Sequence, residues 1–96
     1  MENGKFGAPV RFIPTAIDYA RVNAWKGEII STCGLTFGKD QQFDIVQAYQ
    51  QVVNGIKYYY ELYPRGYIIL KPIFCTILQS FNHGIPAQVG CGWGGF

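Results

Sequence analysis

Between Phe43 and Tyr63 the chain carries two strand-length runs joined only by Gln51-Val52-Val53-Asn54-Gly55. The second run alternates, with Ile56, Tyr58, Tyr60 and Leu62 on one face and Lys57, Tyr59, Glu61 and Tyr63 on the other, the period-2 pattern of a strand. Asn-Gly is the strongest short hairpin signal, so the two runs are expected to fold back on each other. The first run is less regular. Phe43, Ile45, Tyr49 and Val53 share one parity while Val46, Ala48 and Val52 share the other, so both faces carry apolar groups. Val52 and Val53 stand where a turn is normally polar. Two readings follow: an apolar contact surface presented at a loop, or the end of a buried strand with an ordinary Asn54-Gly55 turn.

The flanking segments set what this hairpin can pack on. Residues 1–11 contain Gly4, Gly7 and Pro9 and read as an extended, flexible arm. From Ile13 the period changes. Ile13, Ala16, Ile17, Ala20 and Ala24 form one helical stripe, with Thr15, Asp18 and Arg21 expected to point away and Gly27 to end the helix. Glu28 to Ser31 reads equally as a short strand or the tail of the helix. Pro64-Arg65-Gly66 is a turn. Tyr67 to Phe81 is a long strand in which Pro72 requires a bulge or an edge position. Asn82-His83-Gly84 is a second turn, and Ile85 to Phe96 reads as a last Gly-rich strand or a loose tail. The expected fold is a single α+β domain over residues 1–96, with one N-terminal helix packed across a curved antiparallel sheet of three or four strands.

Composition narrows the function. The 96 residues are 49% hydrophobic and 17% aromatic with a net charge of +2, which argues for one folded core. The eight Lys and Arg are scattered, so nucleic acid is not an expected partner. No apolar run reaches the roughly 20 residues of a membrane helix, and no membrane partner is expected. The tyrosines at 58, 59, 60, 63 and 67 divide between two faces, which fits sheet packing better than a stacking platform. His83 is the lone histidine. No local signature joins it to a cysteine nucleophile, and the zinc-ligand spacings are missing; neither catalysis, a metal nor a cofactor is expected. The cysteines are Cys33, Cys75 and Cys91. A bridge between Cys75 and Cys91, on consecutive strands, would close about 17 residues and contribute roughly 3 kcal/mol. The other reading is three reduced thiols.

Several segments together resemble the cystatins, protein inhibitors of papain-like cysteine proteases. Gln51-Val52-Val53-Asn54-Gly55 is similar to the family's Gln-x-Val-x-Gly loop. Ala16-Ile17-Asp18-Tyr19-Ala20 followed by Asn23 is similar to its helix, and Gly7-Ala8-Pro9 to its N-terminal inhibitory segment. Tyr67-Ile68-Ile69-Leu70-Lys71 resembles a strand of the disulfide-free stefins, and the pair Cys75 and Cys91 the last disulfide of the secreted members. The Pro-Trp of the family's second hairpin loop has no counterpart at Phe81 to Gly84. The resemblance implies reversible, competitive inhibition by a three-part wedge. Phe6 and Gly7 would lie along the protease cleft, Gln51, Val52, Val53, Asn54 and Gly55 would enter it, and Asn82, His83 and Gly84 would flank it. Trp93 is a further candidate contact, although a core role suits it as well. The implied partner is a papain-like cysteine protease, and the implied location extracellular, with a cytoplasmic location as the alternative since no hydrophobic signal core is present. Two other outcomes are carried forward. One is a cystatin-fold module that binds ligands or acts on microbes without inhibiting. The other is a monomer able to form a domain-swapped dimer if strain at Val52-Val53 is released by straightening the loop.

Overall fold

A computed structural model describes residues 7–67 and 71–94. Two helices near the N-terminus pack against a five-stranded antiparallel sheet. The strands are β1 (Val10–Phe12), β2 (Phe43–Val53), β3 (Gly55–Pro64), β4 (Ile73–Ser80) and β5 (Gln88–Cys91), and their spatial order is their chain order. The helices α1 (Ala16–Ala24) and α2 (Lys26–Thr32) lie between β1 and β2 in sequence. The ambiguous stretch after Gly27 is therefore helical, and the single expected helix is two, meeting at Trp25.

The mixed parity of β2 has a physical cause. Its register against β3 shifts between Ile45 and Gln47, a bulge that leaves Val46 exposed. One extra residue exchanges inside for outside, so Phe43 and Ile45 before it and Ala48 after it all enter the core. In β3 Tyr60 and Leu62 are fully buried in the cluster with Ile29 and Ile77, and Tyr59 and Glu61 on the opposite face are buried as well. Pro72 stands just before β4 rather than within it, where its missing N–H removes no ladder bond.

The helix faces the opposite way from its apolar stripe. Ile13 is 85% and Ile17 69% exposed, while Asp18 is 4% exposed and Val22 is buried. The expectation that Ala16, Ala20 and Ala24 rest on the sheet with Asp18 and Arg21 outward is thus reversed. Specific polar bonds decide the rotation. Thr15 caps α1, with its hydroxyl accepting from the Ile17 N–H and its own N–H donating to Asp18 Oδ2 at 2.8 Å. The other oxygen, Oδ1, accepts from Tyr60 O–H at 2.7 Å and Arg21 Nη1 at 3.0 Å. Arg21 also donates to Gln79 and Tyr60 and lies 3.8 Å above the Tyr58 ring. A buried carboxylate is tolerable only when it is well hydrogen-bonded, and both oxygens of Asp18 are engaged. A stripe whose helical core is three alanines offers less than this network plus Val22, Trp25 and Ile29.

The disulfide joins Cys33 to Cys91, with Cα atoms 5.2 Å apart, well inside bridging range. The expected Cys75–Cys91 pair is corrected. Cys75 and Cys91 are indeed register partners on β4 and β5. However, the end of α2 brings Cys33 over Cys91, and Cys75 remains a free thiol within the core.

Candidate functional site

Strand register gathers three segments at one end of the sheet. Val10 pairs with Gln50, so the chain preceding it, Gly7 to Pro9, runs alongside the last residues of β2. Val53 pairs with Gly55, leaving Asn54 alone at the apex of the hairpin. Gly55 also pairs with Ser80, which sets the loop from Phe81 to Ala87 beside that apex. Of the sequence-derived candidates, Gly7, Gln51 to Gly55 and Asn82 to Gly84 are therefore brought together. Phe6 lies outside the described residues.

Trp93 is not part of this end. Its indole packs edge-on against Tyr49, Tyr59 and Phe74 with centroids 5.5, 6.1 and 4.8 Å away, and its Nε1 donates to the Tyr60 carbonyl at 3.2 Å. Those rings belong to the sheet face opposite the helices, so Trp93 covers that face.

The hairpin apex is tighter than a two-residue turn, and one residue bears its conformational demand. Gly55 has φ +141°, and a Cβ there would collide with the Gln79 carbonyl oxygen and stand 2.9 Å from Ser80 Cα. Gly55 is thus required by β4, and a larger residue at this position would disrupt the fold rather than simply block a partner. No described non-glycine residue has a positive φ; Val52 and Val53 carry no backbone strain of that kind.

Gln51 bonds both across the hairpin to β3 and back to the arm. Its Nε2 donates to the Gly7 carbonyl at 3.0 Å, and its Oε1 accepts from Tyr59 O–H at 2.6 Å. Tyr59 in turn has its hydroxyl pKa raised by burial, which keeps the proton available for donation. The side chain therefore ties the arm to the middle of the hairpin. The loop after β4 is built from its own polar groups. Ser80 Oγ accepts from the Asn82 N–H, and Asn82 Oδ1 accepts from the Gly84 N–H, both at 3.0 Å. That leaves His83 at the exposed bend.

The apolar content of this end exceeds what the motif alone announced. Val10, Val52, Phe81 and Ile85 are all exposed large hydrophobics. A groove of about 200 Å³ between Asn54, Ser80, Ile85 and Pro86 separates the apex from the second loop. Another of about 360 Å³ runs between Gly7, Ala8, Val10 and Val52. Phe81 and Ile85 flank the polar Asn82-His83-Gly84 turn in sequence, which was the available signal for them. Val10 gave none, because a lone valine in an extended segment is unremarkable. Tyr59 was legible only as a sheet residue, not as the anchor of Gln51.

No protein-family model matches the sequence, and no curated protein or solved structure matches it either.

Proposed function

We propose that the chain is a reversible, competitive inhibitor of papain-like cysteine proteases, entering the active-site cleft with its arm, hairpin apex and second loop. The observation that carries this reading is the convergence of three chain segments, with Val10, Val52, Phe81 and Ile85 exposed among them, at one end of a sheet. The resemblance of Gln51 to Gly55 and of the α1 segment to cystatins supports it, as does the α+β topology with its consecutive antiparallel strands. A cleft is filled best by a narrow edge with apolar flanks. Removing about 100 Å² of apolar surface from water contributes roughly 2.5 kcal/mol, so a few such side chains supply useful affinity after the cost of association. The apex offers side chains and a turned backbone rather than an extended peptide bond aligned for attack, so the thiolate is blocked and no acyl transfer follows. Gln51 lowers the ordering cost by holding Gly7 beside the hairpin. The Cys33–Cys91 bond supports an oxidising, extracellular compartment.

Titrating papain with the full chain tests this. Stoichiometric inhibition that raises KM and leaves kcat unchanged is expected. Val52→Asp alters an exposed position and should weaken inhibition by one to two orders of magnitude, roughly the cost of placing a charge in a dry contact, without shifting the melting temperature. Deleting residues 1–6 should weaken it less. Undiminished papain activity at micromolar inhibitor would refute the reading and leave the non-inhibitory module.

A further inference from the structure

At the far end of the sheet Lys26, the first residue of α2, is only 8% exposed. Its ammonium donates to the Gln41 carbonyl at 2.8 Å. Among the described residues no carboxylate comes within ion-pair distance of it. Neighbouring Arg65 has a counter-ion, Asp44, at 2.7 Å; Lys26 has none among the described residues. An ammonium carries three donors, and a buried charge without a partner is costly, so two unspent protons here call for an acceptor.

Lys26 lines a pocket of about 60 Å³ together with Tyr19, Asn23, Gln41, Gln42 and Arg65. Tyr19 adds a donor. Its hydroxyl oxygen accepts from the Ile45 N–H at 3.2 Å, and its own proton has no acceptor among the described residues. The Asn23 amide makes no hydrogen bond there either and supplies another donor. One water needs roughly 10–15 Å³ of such space, so the pocket admits a group of about four or five non-hydrogen atoms. With Arg65 balanced by Asp44, the local excess is one positive charge.

We propose that this pocket binds a small oxyanion, ion-paired to Lys26 and hydrogen-bonded by Tyr19 and Asn23. Size and charge both fit a phosphate, a sulfate or a single carboxylate group. The site lies at the start of β2, ten strand residues from the hairpin apex and so roughly 30 Å from it. An anion there and a protease at the apex would not compete, and the site stands whether or not the chain inhibits proteases.

The test is an NMR titration of the full chain with inorganic phosphate and, separately, with acetate, the ionic strength held constant with sodium chloride. Saturable backbone shifts centred on Asn23, Lys26, Gln42 and Phe43 are expected with at least one anion, and the arm that binds separates an inorganic oxyanion from a carboxylate. Lys26→Met keeps the aliphatic stem and should raise the apparent Kd roughly tenfold or more. Asn23→Leu, at an exposed helix position, should weaken binding severalfold and serves if Lys26→Met does not fold. No saturable shift from either anion at about 10 mM, shifts spread over the exposed lysines, or variants that respond like the parent would overturn the proposal.

Discussion

Removing the Cys33–Cys91 bond, by replacing both residues with serine, is expected to be the most damaging covalent change available to this chain. The bonded residues are 58 positions apart. Closing a loop of that size in the unfolded chain costs entropy worth about 4 kcal/mol, against about 3 kcal/mol for a loop between Cys75 and Cys91. In a domain of about 100 residues each kcal/mol moves the melting temperature by roughly 4–8 °C, so the double variant should melt about 15–30 °C lower. The position of the bond adds to the effect. It fastens the C-terminal end of α2 to β5, a strand of only four residues at the sheet edge. Differential scanning calorimetry of parent and variant measures the shift, and peptide mapping without reduction reads the connectivity. A peptide linking Cys75 to Cys91 would refute the reasoning outright. So would a loss below about 5 °C, because the loop-entropy argument then fails for this chain.

Two further outcomes are expected. Tyr60→Phe removes the hydroxyl that donates to Asp18 and accepts from Arg21; with the carboxylate still buried, urea unfolding should show a loss of about 1.5–3 kcal/mol, and a loss under about 0.5 kcal/mol would show the network to be dispensable. Stability should also decline on the alkaline side: burial pushes the Cys75 thiol up to about 12 from 9.0, so between those values the unfolded chain has released a proton that the folded chain keeps. That contribution is complete below pH 9 and is lost as pH rises toward 12, Tyr60 shifts in the same direction, and calorimetry from neutral to alkaline pH would contradict the argument if melting temperatures stayed level.

The α+β architecture was legible because it follows from periodicity and punctuation. Alternation over Ile56 to Tyr63 and the turn at Pro64-Arg65-Gly66 are local signals, and the strand and turn found there agree with them. The rotation of α1 was not legible. Periodicity ranks Ile17 above Asp18 for burial, but the sheet presents Tyr58 and Tyr60, whose hydroxyl and ring face make Asp18 and Arg21 the better inward pair. Only knowledge of what lies opposite could have reversed the ranking. The disulfide failed for a similar reason. Strand adjacency correctly paired Cys75 with Cys91 in register, yet the deciding neighbour came from α2, a segment whose identity as helix or strand was open. The bulge at Val46 was present in the sequence as a change of parity and needed only β3 opposite to be read.

The motif at the hairpin divides into two kinds of residue, and this changes where binding can be sought. Gly55 is fixed by the Gln79 carbonyl beneath it, and Gln51 is occupied by Gly7 and Tyr59. Both face the molecule's own interior contacts, so their replacement would alter the apex or the arm before it altered any partner. Val52 and Asn54 are exposed and are not held in this way. A partner would therefore meet Val52 and Asn54, flanked by Val10 on one side and by Phe81 and Ile85 on the other. Substitutions there read contact directly, whereas substitutions at Gln51 or Gly55 read the cost of building the edge. If inhibition were lost only on changing the second pair, the hairpin would be scaffolding for some other surface; loss at Val52 with an unchanged melting temperature would place the contact at the apex itself.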